Sequence, residues 1–138
     1  MAAPLLNPPC TWRILIVEDD AQLARLFEAI LSDDGYLVTI VGTGRAAFSA
    51  VSDCDYHTAI VDMSLPDMEG AMVIRHICSE RPYMKVLAVS GMMTDAMRII
   101  AYEAGATATL GKPMGQKQFR AAVYHLIDPS DQWMSLHA

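Results

Sequence analysis

Cysteine is scarce in this chain: three among 138 residues, at positions 10, 54 and 78. An odd, widely spaced set supports neither a disulfide framework nor a CxxC metal site, and it fits a reducing, cytoplasmic compartment. Long apolar runs are also missing. No stretch reaches the ~18 uninterrupted apolar residues of a membrane span, and the first twelve residues lack the basic and apolar regions of a secretory signal. Positive charge is in deficit, with 10 Lys+Arg against 16 Asp+Glu and a formal net charge of -6. That balance weakens attraction to nucleic acid and to anionic lipid, so neither is expected as a partner. Repeats, charge blocks and low-complexity segments are absent as well. The chain does have apolar material: 53% of its residues are hydrophobic and 19% charged. This is enough for one core, and the length suits one domain at roughly 100–200 residues each.

Prolines and polar residues divide the chain into an N-terminal arm (1–12), a central unit (13–128) and a short tail (129–138). Within the unit, short apolar runs rich in β-branched residues stand at Ile14 to Val17, Leu37 to Val41, Ala59 to Val61 and Val86 to Val89, with a weaker one at Ala108 to Leu110. Each is too short for a helix and does not alternate, as expected of parallel strands buried on both faces. Between them lie segments of helical period. Leu23, Leu26, Phe27, Ile30 and Leu31 form one apolar stripe, closed by Gly35. Val73, Ile74, Ile77 and Cys78 form a second, and Phe119, Ala122, Val123, Leu126 and Ile127 a third. Shorter helices are expected from Gly44 to Val51 and from Asp95 to Ala104, the latter capped by Thr94 and stopped by Gly105. Five β-α units imply an α/β fold with a parallel sheet and helices on both faces. Ligands of such sheets bind beyond the carboxyl ends of the strands.

The residues at those ends are Glu18, Asp19, Asp20, Asp62, Ser90 and Lys112. Taken singly, each has an ordinary role open to it: Asp20 could cap the first helix, Asp62 could begin a turn, Ser90 could end a strand, Lys112 could be solvated. Together they concentrate carboxylates around one ammonium, and such a group calls for a compensating cation. Hard oxygens without paired His or Cys suit Mg²⁺ completed by water and phosphate. Asp62, on the central strand, is then the natural nucleophile for an acyl phosphate, with Lys112 neutralising phosphoryl oxygens and Ser90 donating a hydrogen bond.

The segments ILIVEDD, AIVDMSLPDMEG and VLAVSG and the Gly-Lys-Pro at 111 to 113 resemble, in order, the receiver domains of two-component response regulators, over roughly Arg13 to Ile127. The resemblance implies a flavodoxin-like (βα)5 doubly wound sandwich with strand order 2-1-3-4-5, and a Mg²⁺-dependent phosphoprotein. It implies Asp62 as phosphoacceptor, Asp19 and Asp20 as the acidic pair for Mg²⁺, Ser64 as a ligand through its backbone carbonyl, and Lys112 as the phosphate-binding lysine. Ser90 stands at the Ser/Thr switch position, and the Lys112–Pro113 bond is expected to be cis. The partner implied is a sensor histidine kinase or a histidine phosphotransfer protein. Output runs through contact with an effector protein, or the molecule serves as a phosphorelay intermediate or phosphate sink. A stand-alone signalling module is expected, acting as an enzyme only on its own phosphorylation state.

The sequence departs from the family pattern in two places. Thr109 occupies a position where Tyr or Phe is common, so the usual aromatic reporting of Ser90 is altered or the exchange is harmless. Met92 and Met93 follow Ser90 and Gly91, and the apolar Met92 predicts slow self-dephosphorylation because it cannot orient water. Among the ten methionines, Met97 is expected in the core. The histidines 57, 76, 125 and 137 lack mutual ligand spacing and are read as surface or incidental; Cys78 is read as core. Competing readings are a phosphorylation-independent scaffold on the same fold, an aspartyl-phosphate phosphatase and a flavin carrier. The acidic set at the strand ends counts against the first, the short chain against the second and the acidic first loop against the third.

Overall fold

The computed structural model describes residues 12–127; the arm, the tail, Cys10 and His137 lie outside the described residues. The chain alternates β1 (Arg13–Val17), α1 (Ala21–Asp33), β2 (Leu37–Val41), α2 (Gly44–Asp53), β3 (Thr58–Asp62), α3 (Gly70–Glu80), β4 (Lys85–Ser90), α4 (Asp95–Ala104), β5 (Ala108–Gly111) and α5 (Gln116–Ile127). The five strands are parallel and ordered β2-β1-β3-β4-β5, which makes β3 central. The doubly wound topology and strand order expected from the sequence are those observed. All of β3 is buried, whereas the edge strands β2 and β5 are largely half-buried.

Alternation along the strands sorts side chains into two cores. Leu15, Val17, Ala59, Val61, Val86 and Ala88 face α2, α3 and α4, while Ile14, Ile16, Ile60, Leu87 and Val89 face α1 and α5. On α1 the buried stripe is Ala24, Phe27, Ile30 and Leu31; Leu26, expected on it, is 48% exposed. The helix ends where the sequence predicts. Gly35 takes φ +95°, its N–H bonding to the Ser32 carbonyl and that of Tyr36 to the Leu31 carbonyl, which satisfies carbonyls that the last turn leaves open. Gly105 does the same after α4 at φ +120°, and a Cβ there would also run into Cys78 Sγ. Thr94 caps α4 through the Met97 N–H, and Thr43 caps α2 through the Ala46 N–H. No helix among the described residues is long and apolar enough to cross a membrane.

Three smaller expectations are corrected. Cys78 is only partly buried, its thiol donating to the Gly105 carbonyl. Met97 is partly buried and packs against the α2–α3–α4 core from its rim. His57 and His76 are not incidental: His57 stacks on Trp12 and accepts the Arg13 N–H, and His76 stacks on Phe48.

Candidate functional site

The carboxyl ends of β1, β3, β4 and β5 meet at one edge of the sheet. β3 ends in Asp62 and β4 in Ser90, both nearly fully buried, because the strand ladder continues through them: Asp62 lies beside Val89, and Ser90 beside Gly111. The Met63 N–H bonds to the Val89 carbonyl and the Lys112 N–H to the Ser90 carbonyl, so the loops leave the sheet in fixed directions. The Lys112–Pro113 bond is cis, as expected.

Lys112 reaches back over this edge. Its Nζ lies 2.9 Å from Glu18 Oε1 and 3.4 Å from Asp62 Oδ2. Burial raises the Glu18 pKa against the pull of Lys112 and of the Asp20 N–H. Burial also works to lower the Lys112 pKa, but the carboxylates of Glu18 and Asp62 outweigh it and the net shift is upward. The lysine therefore stays cationic. Asp62 Oδ1 accepts the Ser64 N–H at 3.1 Å, and Ser90 Oγ accepts the Met92 N–H at 3.0 Å, leaving the hydroxyl proton free to donate.

One oxygen from each of Glu18, Asp19 and Asp62 lies within 4.8 Å of the others. Asp20, expected in this group, stands outside it. Its Oδ1 caps α1, accepting the N–H groups of Gln22 and Leu23, and its own N–H donates to Glu18 Oε2. At the end of β1 it is the carboxylates of Glu18 and Asp19 that approach Asp62. Asp20, immediately before a helical stripe, carries an N-cap signal in the sequence. Three hard oxygens, with no His or Cys among them, fit a divalent cation of the Mg²⁺ type. Three carboxylates against one ammonium leave a formal excess of negative charge for it to offset.

Thr109 lies on β5 beside Ala88, on the α4 side of the sheet, and is half-buried. Met93 packs on the same core and would nearly touch a Cβ at Gly111, whereas Met92 is 72% exposed.

Residues 14–124 match the family described as the response regulator receiver domain. Among curated proteins, the chain is 35% identical over 103 residues to the transcriptional regulatory protein TcrA of Mycobacterium tuberculosis, covering 73% of this chain and 40% of the relative. It is 32% identical over 116 residues to the transcriptional regulatory protein GltR of Pseudomonas aeruginosa, covering 83% and 48%. The match thus spans less than half the length of these relatives. Among solved structures, a CheY-like receiver domain protein from Methanospirillum hungatei superposes with a TM-score of 0.84 at 29% identity, covering 88% of this chain and 98% of that one. The receiver domain of the sensor histidine kinase PA1611 from Pseudomonas aeruginosa, solved with magnesium in its active-site cleft, gives 0.77 at 25% identity, covering 85% and 98%.

Proposed function

The chain belongs to the response regulator receiver domain family, and on that premise we propose that it accepts a phosphoryl group on Asp62 from a phosphohistidine of a sensor kinase or phosphotransfer protein. The observation that carries this reading is the buried Asp62 carboxylate, gripped by Lys112 on one oxygen and by the Ser64 N–H on the other, with Glu18 and Asp19 beside it.

In the transfer, a carboxylate oxygen of Asp62 attacks phosphorus, the phosphorus–nitrogen bond breaks, and the histidine nitrogen leaves with the electron pair. The product is an acyl phosphate. The Lys112 ammonium, already 3.4 Å from the acceptor carboxylate, neutralises charge on the transferred oxygens. The Ser90 hydroxyl donates to the new phosphoryl group, and because the Met92 N–H rests on the same oxygen, the following loop moves with it. Glu18, Asp19 and Asp62 would hold Mg²⁺, which when bound offsets phosphoryl charge; Ser64 lends its carbonyl.

The chain signals through contact with an effector protein, or serves as a relay intermediate or phosphate sink. A net charge of -6 favours a protein partner over nucleic acid, and the proposed setting is cytoplasmic. The match covers only 40% and 48% of the relatives named as transcriptional regulators, so the activity of their remaining length is not attributed to this chain.

The test is intact mass after incubation with acetyl phosphate and Mg²⁺. The native chain gains one phosphoryl group and Asp62→Asn gains none. A native chain that stays unmodified, or a substituted one that does not, overturns the assignment.

A further inference from the structure

The loop between β3 and α3, residues 63–69, is pinched at its base. The Gly70 N–H bonds to the Met63 carbonyl at 2.8 Å, and Ser64 forms an isolated antiparallel bridge with Glu69. Its far side is fastened to a different element. Asp67 Oδ1 accepts the Gly44 N–H at 2.8 Å and Oδ2 the Arg45 N–H at 3.0 Å, so both carboxylate oxygens are spent on the first turn of α2, more than 20 positions away in sequence. Met68 lies against Gly44 so closely that a Cβ there would meet its sulfur. The first-turn N–H groups of a helix have no partner within the helix, and its positive end favours a carboxylate, so the attachment is chemically well matched.

Thr43 already caps α2 through Ala46. The Asp67 contacts are therefore additional to the helix's own cap, and they serve the loop as much as the helix. That loop carries Ser64, whose N–H orients the Asp62 carboxylate.

We propose that Asp67 is a positioning residue for the acidic site. By fixing the loop to α2, it sets the place of the Ser64 backbone relative to Asp62, and thereby the affinity of the Glu18–Asp19–Asp62 group for a divalent cation. The inference rests on the receiver reading above and adds to it a residue that touches neither phosphorus nor metal.

The experiment is calorimetric titration of the full chain with Mg²⁺, paired with the Mg²⁺ dependence of phosphorylation by acetyl phosphate, for the native chain, Asp67→Ala, Asp67→Asn and Thr43→Ala. Supporting groups around a metal site typically change affinity by 10–100-fold; as this one acts through the backbone, Asp67→Ala weakens Mg²⁺ binding by about tenfold. The half-saturating Mg²⁺ concentration rises by the same factor while the rate at saturating Mg²⁺ stays within about twofold. Asp67→Asn keeps one acceptor and falls between. Thr43→Ala removes a cap from the same helix without touching the loop, so it lowers stability and leaves Mg²⁺ affinity unchanged. Native affinity in Asp67→Ala, or equal weakening in Thr43→Ala, overturns the positioning role while the receiver reading stands. A native chain that takes up neither Mg²⁺ nor phosphoryl overturns both.

Discussion

On the side of the sheet covered by α1 and α5, Phe27 and Phe119 stack with ring centroids 4.2 Å apart among Ile14, Ile16, Ile60 and Leu87, and a single alanine, Ala24, is buried there. On the side covered by α2, α3 and α4, seven alanines are buried among the described residues beside Tyr56, Ile74 and Ile77, and Met63, Met84, Met93 and Met97 fill between them. Large, stiff rings and branched chains interlock in one arrangement, whereas alanines leave shallow surfaces and thioethers adapt to several. The β3–α3 loop and α4, which adjoin Asp62 and Ser90, belong to the alanine and methionine side. This composition predicts that packing on the α1–α5 face is the less tolerant of change, while the α2–α3–α4 face accommodates shifts at smaller cost. α4 fits this division, since it buries only Ala101 and Ala104 while Ile99, Ile100 and Tyr102 remain exposed.

The largest expected effect is on the rigid face. Phe27→Ala removes half of the stacked pair and lowers unfolding free energy by about 3–5 kcal/mol, read as a drop in the urea midpoint at unchanged slope. A loss under about 1 kcal/mol would show that the two cores are not so different. On the adaptable face, Met97→Leu keeps the volume and costs less than about 1.5 kcal/mol by the same measurement; a cost equal to that of Phe27→Ala would erase the contrast.

At the site itself, Met92→Asn places a water-orienting group beside Ser90. The phosphoryl lifetime, followed by intact mass after the phosphodonor is removed, shortens several-fold, on the order of 1 kcal/mol in barrier. An unchanged lifetime would remove Met92 from any part in persistence.

The smallest effect concerns the opposite edge of the sheet. His57 has its pKa held below the ordinary 6.5, first by burial and then by the Arg13 charge, and its Nδ1 accepts the Arg13 N–H. The unfolded chain therefore takes up a proton that the native state refuses. Stability is full above pH 6.5, falls as pH drops through that value, and levels off below the folded pKa. Urea midpoints measured across this range should decline with acid in the native chain and decline less in His57→Gln.

Most of the fold could be read from the sequence because strand and helix periods are local. The runs at 14–17 and 86–89 and the stripe of α1 announce themselves within a few residues, and Gly35 and Gly105 mark helix ends by chemistry that acts over one turn. The convergence of Asp62, Ser90 and Lys112 followed from topology alone. Asp20 is a place where two roles suit one residue type, since a carboxylate before a helix is equally a cap and a ligand; in the structure its Oδ1 accepts the N–H groups of Gln22 and Leu23. The tie from Asp67 to α2 had no local signature, because neither Gly44 nor Arg45 advertises an N–H awaiting a partner beyond 20 residues. Leu26 is exposed because the buried stripe of α1 is narrower than the apolar spacing suggested.

Gly70 bears on how this molecule can vary. A Cβ there would lie 2.3 Å from the Asp62 carbonyl oxygen and 2.5 Å from Met63 Cα, so the turn after Asp62 closes on itself with hydrogen as the only tolerated substituent. The seven positions from Met63 to Glu69 form a clasped ring, and adding or dropping one would strain the clasp. Insertion, so common in surface loops, is disfavoured beside the Asp62 carboxylate.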